Sequence, residues 1–198
     1  MIEILVLYYS RNGSVRQMAK LIARGIEMIP GVAAKLRTVP SVSENHIATD
    51  PPIPHDGPPY VTEEDVRICA GIALGSPTRF GNMAAPMKHF IDQLGGVWFD
   101  GTLAGKPAAA FTSASSMHGG HEVTLTTMMY PLLHLGMIIT GIPYSLGPLN
   151  STQTGGTPYG ASHLSGHQGE LPISEDEKAL CIAQGKYLAS TALKLSKD

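Results

Sequence analysis

The chain has 198 residues, 43% apolar and only 15% charged, with a net charge of −2. These values suit one globular domain with a full core and exclude a disordered chain. No basic stripe points to a nucleic-acid partner, and no apolar stretch is long enough to span a membrane.

The opening segment, MIEILVLYYS, is too short and, with Glu3, too acidic for a secretion signal. Ile2–Tyr8 reads instead as a first β-strand. Val15, Met18, Ala19, Ile22, Ile26 and Ile29 then recur at helical spacing until Pro30-Gly31 stops the helix. Residues 32–39 form a weaker strand. Thr62 with Asp65 can cap a short helix, and 67–75 read as a third strand. Met83, Met87, Phe90, Ile91 and Leu94 mark the next helix, and 108–113 a fourth strand. Leu125, Met128, Met129, Leu132 and Leu133 mark another helix, ended by Gly136 and bent by Pro131. Residues 137–142 form a fifth strand. Ser174 and Glu177 make a capping box for a last helix with the stripe Cys181, Leu188, Ala192 and Leu195.

Near-continuous apolar strands separated by amphipathic helices imply an α/β fold, with a parallel sheet covered on both faces. Two long segments, 40–60 and 144–173, are rich in Pro, Gly, Ser and His. Loops of that length inside a compact domain are usually functional or interfacial. Cys69 and Cys181 read as reduced core residues of a cytoplasmic protein.

In an open parallel sheet, ligands bind beyond the carboxyl ends of the strands. Three loops follow strand ends here. In the first, Ser10, Arg11, Asn12, Gly13, Ser14 and Val15, hydroxyls and an amide precede a helix N-terminus. This is either a cradle for a terminal monophosphate or an ordinary helix cap. Neither a Walker lysine nor a G-x-G-x-x-G motif is present, which disfavours triphosphate and Rossmann sites. In the second loop, Ser76 to Met83, Pro77 and Thr78 offer backbone amides, Phe80 an apolar plate and Arg79 a cation. The alternative is a plain turn with a core Phe and a solvated Arg. The third loop, Ser113, Ala114, Ser115, Ser116, Met117, His118, Gly119 and Gly120, can follow the polar edge of a ring or form a surface turn.

Other constellations are weaker. His118 and His121 flank two glycines and do not form a rigid metal pair, so no metal is expected. His163 and His167 sit in a Gly/Ser loop and read as surface residues. G-x-S-x-G, the serine hydrolase signature, is absent. His134 ends an apolar helix, as a structural residue or a site residue. Trp98, the only tryptophan, lies in the Gly-rich stretch GGVWFDG, as core or as an exposed aromatic wall.

Together, VLYYS with its loop, GSPTRFGNM with FIDQLGGVW, HLGM and GGTPYGAS resemble the WrbA family of flavodoxin-like NAD(P)H:quinone oxidoreductases, over the whole chain. The resemblance implies a single flavodoxin-like domain with a five-stranded parallel sheet in the order 2-1-3-4-5. It implies FMN as cofactor and NADH or NADPH as co-substrate, with two-electron transfer to a quinone in the same slot. Ser10 to Val15 would hold the FMN phosphate. Pro77, Thr78, Arg79 and Phe80 would hold ribityl and ring, with Gly81 and Asn82 shaping the turn. Ser113 to Gly119 would line the pyrimidine edge. Trp98 and His134 would border the slot for nicotinamide and quinone, His134 also touching the flavin. Asn12 stands where the family often has an aromatic residue. A homotetramer is implied as well. The alternatives are a one-electron flavodoxin-type shuttle, which a net charge of −2 disfavours, and a non-catalytic regulatory module.

Overall fold

The computed structural model describes residues 1–42 and 53–196. β1 (Ile2–Tyr8) leads into α1 (Ser14–Glu27) and β2 (Val32–Thr38). α1 buries Val15, Met18, Ala19, Ile22 and Ile26, the face its spacing predicts, while Ile29 lies just beyond its end. α2 (Glu63–Ile68) starts with the expected capping box, in which Thr62 and Asp65 bond reciprocally. Arg67 and Ile68 complete this helix rather than opening a strand. Arg67 pairs with Glu63 one turn back, at 2.7 Å, and with Asp100 at 3.0 Å. β3 therefore runs over Gly71–Pro77, and Cys69 ends α2 as a buried thiol that burial pushes up to about 11.

α3 (Ala85–Asp92) and α4 (Gly95–Phe99) precede β4 (Pro107–Ala114). α5 (His121–His134) and β5 (Ile138–Ile139) follow. α6 (Gly147–Ser151), β6 (Ser162–Leu164) and α7 (Glu175–Leu195) close the chain. α7 has the expected Ser174–Glu177 capping box and buries Cys181, Leu188 and Ala192; Leu195, its last residue, is exposed instead.

The strands form a parallel sheet in the order β2-β1-β3-β4-β5, with β6 also on β4. β5 pairs only with the start of β4, Ile138 and Ile139 opposite Pro107 and Ala108. β6 pairs with its end, Ser162 to Leu164 opposite Thr112 to Ala114. Two short strands thus share the place expected for one strand over 137–142. The Thr140 N–H still donates to Ala108 O, at 2.7 Å, but the Ile142 N–H turns to Pro158 O, at 2.8 Å, and the chain leaves the sheet. Of the segment expected to be functional or interfacial at 40–60, only 40–42 and 53–60 fall within the described residues.

Successive β1 residues serve opposite cores, as a sheet covered on both faces requires. Ile4 and Val6 pack with α1 and α7, including Met18, Ile22, Leu180 and Leu188. Leu5 and Leu7 pack with Met87, Leu125, Met128 and Leu132 of α3 and α5.

His163 is the first departure that bears on function. It is 1% exposed on β6, not a surface residue, and its Nδ1 lies 2.9 Å from Glu177 Oε2. The same carboxylate accepts from the N–H groups of Gly155 (2.7 Å), Ser174 (2.8 Å) and Leu164 (3.1 Å). Burial pushes the Glu177 pKa up, but the bond from His163 and those three amides outweigh it and hold the carboxyl at about 2. Because the folded pKa lies below the ordinary 4.5, this group stabilises fully above that value. Its contribution fades as pH falls from about 4.5 to 2. Glu177→Gln is expected to cost on the order of 3 kcal/mol near neutral pH. Denaturant unfolding across the acid range checks this: the gap between wild type and variant should narrow steadily toward pH 2, and a pH-independent gap contradicts the assignment.

Candidate functional site

The carboxyl ends of β1, β3 and β4 bring the three loops to one edge, around a cavity of about 420 Å³. From the first loop, Ser10, Arg11, Asn12, Ser14 and Val15 line it. Gly13 is the N-cap of α1 at φ 91, and, having no side chain, it makes no cap bond of its own. Only glycine enters that left-handed conformation without strain. The Ser10 Oγ accepts from Arg16 N–H at 3.2 Å, which leaves its own proton to donate into the cavity. A helix start with a glycine N-cap beside serine hydroxyls is suited to cradle an anion.

From the second loop, Pro77, Thr78 and Arg79 line the cavity. Thr78 N–H donates to Ser113 O at 3.0 Å, and its hydroxyl bonds Thr124 Oγ1 at 2.6 Å, tying this loop to β4 and α5. Arg79 and Asn82 exchange backbone bonds of 2.7 and 3.0 Å across a tight turn. Phe80 and Gly81 occupy its centre at φ 52 and 75. A left-handed phenylalanine costs on the order of 1–3 kcal/mol and is uncommon outside functional sites. Phe80 is also fully exposed, so it is not a core residue. Arg79 Nη1 donates to Thr78 O at 2.7 Å, so the guanidinium is held against its own loop.

From the third loop, Ser113, Ala114 and Ser115 line the same cavity. Ser116, Met117, His118 and Gly119 do not. Met117 and His118 face a separate cavity of about 480 Å³ beside α5. His121 Nε2 donates to Ser116 O at 3.1 Å, folding the loop onto the start of α5. Burial pushes the His121 pKa down, and its Nδ1 has no partner.

One wall was missed by sequence reasoning. Ser165, Gly166 and His167, after β6, line the cavity. Ser165 N–H donates to Ala114 O at 2.8 Å, so the short strand delivers this segment to the site. The Ser165-Gly166 pair in a segment rich in Gly, Ser and His was the only local signal.

Trp98 and His134 are brought to each other but not to this cavity. Their rings stack at 5.7 Å and 25°. Trp98 lies on α4 rather than in a loop, and both residues are exposed. α5 begins at the site, where Thr127 Oγ1 donates to Gly81 O at 2.8 Å, and then runs back along the sheet. Its fourteen residues carry His134 roughly 20 Å away. There Gly105 N–H meets Gly136 O at 2.9 Å, just before β4 begins. The helix end therefore faces the amino edge of the sheet, not the edge that carries the loops.

The donor set fits a phosphate monoester on a polyhydroxy chain. Helix N–H groups would meet the anion, and neutral hydroxyls of Ser10, Ser14, Ser113, Ser115 and Ser165 line the same cavity. Sheet order, switch point and cradle define a flavodoxin-like α/β protein. The chain belongs to the NADPH-dependent FMN reductase family, whose profile it matches over residues 2–147. It is 41% identical over 201 residues to the NAD(P)H dehydrogenase (quinone) of Geobacter sulfurreducens, across 98% of this chain and 99% of that one. To the protein of the same name from Geobacter metallireducens it is 40% identical over 200 residues, across 98% of each chain. Among solved structures, the WrbA-like flavodoxin of Agrobacterium tumefaciens shares the fold with a TM-score of 0.69 at 18% identity, across 98% of this chain and 99% of that one. An archaeal flavodoxin does so with a TM-score of 0.63 at 19% identity, across 97% and 99%.

The cradle makes a direct prediction. Ser10→Ala removes one donor to a charged group, worth about 1.5–3 kcal/mol. FMN should bind roughly ten- to hundredfold more weakly, with riboflavin affinity little changed. Parallel fluorescence titrations of the apoprotein check this; equal losses for both flavins would place Ser10 away from the phosphate.

Proposed function

We propose that the protein is an FMN-dependent NAD(P)H:quinone oxidoreductase. The observation that carries this reading is the start of α1 at left-handed Gly13, opening with the Ser10 hydroxyl into a hydroxyl-lined cavity at the switch point. The names of the Geobacter relatives support the activity. FMN, when bound, supplies the redox chemistry between nicotinamide and quinone. The chain supplies position and field. Ser10, Asn12 and Ser14 hold the phosphate with the N–H groups of α1, and Arg11, Gly13 and Val15 shape that cradle. Pro77, Thr78 and Arg79 flank the polyol, with Phe80 a wall over the turn that Gly81 and Asn82 form. Ser113, Ala114 and Ser115 border the polar edge of the ring, and Ser165 to His167 close the far side. Extraction and chromatography of the bound cofactor, with turnover of NAD(P)H and a simple quinone, test the reading. FAD as the main species, or no flavin affinity after reconstitution, overturns it.

The reading includes a cytoplasmic homotetramer. Two free, buried cysteines suit a reducing compartment. Trp98, Phe99, Tyr130 and Leu133 are exposed on α4 and the second half of α5, an apolar surface of the kind that subunits cover. Since Trp98 and His134 lie far from the cavity of their own chain, they border a slot only as a neighbour's contribution. There Trp98 offers a flat wall, and His134 can donate a hydrogen bond to a quinone oxygen as charge develops.

Two variants test this arrangement. His134→Ala should lower quinone turnover about tenfold or more, through loss of one charge-assisted bond. A Trp98→Ala/His134→Ala chain and a Ser10→Ala/Thr78→Ala chain, co-expressed, should together turn over quinone severalfold faster than either alone, since some sites then combine an intact cradle with an intact aromatic pair. A mixture no better than the mean of the two variants rules out the shared site, and a monomeric wild type in light scattering rules out the tetramer.

A further inference from the structure

Beside the cradle lies a second cavity, of about 710 Å³. It shares Arg11 and Arg79 with the first and is otherwise lined by Tyr9 just after β1, the segment after β2, the second loop and the start of α3. Three cations converge on it: Arg11, Arg79 and Lys88. Among the described residues that line it there is no carboxylate. Tyr9, Met83, Ala84 and Pro86 give it an apolar floor, and Asn82 an amide. In a chain of net charge −2, this is a local reversal of sign, and low-dielectric walls focus such a field.

These charges are not consumed within the fold. Among the described residues, Arg11 makes neither a hydrogen bond nor an ion pair. Arg79 uses Nη1 on Thr78 O, at 2.7 Å, which steadies the guanidinium and leaves other donors free. Lys88 pairs with Asp92 one turn along α3, but both side chains are more than half exposed, 54% and 58%. Exposed pairs of this kind are weak and easily exchanged. Nor does the cradle need these cations, because helix N–H groups and hydroxyls already meet its anion.

We infer that this cavity receives the phosphate-bearing adenosine end of the nicotinamide dinucleotide, and that Arg11, Arg79 and Lys88 select NADPH over NADH. The inference rests on the oxidoreductase reading above. A dinucleotide whose nicotinamide lies in the slot reaches the second cavity across Arg11 and Arg79, which belong to both. The 2′-phosphate monoester that distinguishes NADPH adds about −1.5 to −2 charges near neutral pH. Guanidinium groups grip such a monoester with paired bonds, and Lys88 adds a mobile point charge at the rim. The adenine ring finds the apolar floor.

The experiment uses the FMN-loaded protein with p-benzoquinone as acceptor. At low salt, kcat/KM for NADPH should exceed that for NADH by about tenfold or more, the effect of one charge-assisted contact. The ratio should shrink as salt screens the rim. Lys88→Glu should lower the ratio severalfold with FMN content unchanged, and Arg11→Gln should lower it further. Calorimetry supplies a readout independent of turnover: adenosine 2′,5′-bisphosphate should bind the holoprotein about tenfold or more tightly than adenosine 5′-monophosphate, and lose that advantage in Lys88→Glu. Equal kcat/KM for the two nucleotides, with no preference for the bisphosphate, overturns the inference while leaving the oxidoreductase reading intact. No turnover with either nucleotide overturns that reading instead, and a bisphosphate preference that survives Lys88→Glu and Arg11→Gln places the phosphate outside this cavity.

Discussion

A single buried carboxylate decides whether the site has its fourth wall. β6 is three residues long and could not persist on β4 through its own ladder. Glu177 holds it there. The carboxylate reaches the His163 ring and the N–H groups of Leu164, Gly155 and Ser174. Those partners come from β6, from the turn before it and from the cap of α7, so one side chain fastens both ends of the returning segment. Ser165, Gly166 and His167 follow directly and meet the cavity. The cost of burying the charge is offset because the hydrogen bonds converge on it. The mechanical consequence is that a helix cap far along the sequence sets the wall of a cavity whose cradle lies at the first helix.

The cradle is steadied in a different way, by close backbone contact. A Cβ at Gly25 would lie 2.1 Å from Ile182 O, and one at Gly185 would lie 2.1 Å from Ile22 O. α1 and α7 therefore touch along their backbones, with a glycine from each helix at the crossing. This fixes the axis of α1, and so the direction in which its free N–H groups point. A side chain at either glycine would push the helices apart and tilt the cradle.

Much of this was legible in the sequence, for physical reasons that differ by element. β1, β3 and β4 are buried on both faces, so they read as apolar runs. Both capping boxes were legible because their chemistry is local: a hydroxyl and a carboxylate three residues apart. β6 was not, because Ser162, His163 and Leu164 carry no strand pattern and are held by partners far along the chain. Composition reads His163 and His167 alike as surface residues; tertiary contacts move His163 into the core, while His167 is exposed as expected and lines the cavity. α4 was hidden by Gly95 and Gly96, which depress helix propensity while packing still orders the turn. The limits of the third strand were misplaced because Val66 and Ile68 continue its apolar pattern, although Arg67 belongs to a capped helix.

The position of His134 shows how direction outranks proximity in sequence. A helix that follows a strand of a parallel sheet must run back against it, so its two ends serve opposite edges. The start of α5 belongs to the site, through Thr124 and Thr127 on the second loop. Its end necessarily does not. The same holds for α3 and α4, which carry Trp98 away from the loop that carries Phe80. The aromatic pair and the strained Phe80 thus mark opposite edges of one chain, and each is exposed where a lone domain has no use for it. The left-handed turn at Phe80 is maintained by reciprocal bonds between Arg79 and Asn82 and by the Thr127 hydroxyl on Gly81 O, a local investment that exposes a large apolar ring rather than burying it. Such a ring lowers its free energy only by meeting another surface, whether a flat ligand in the slot or the edge of a second chain that carries its own stacked Trp98 and His134.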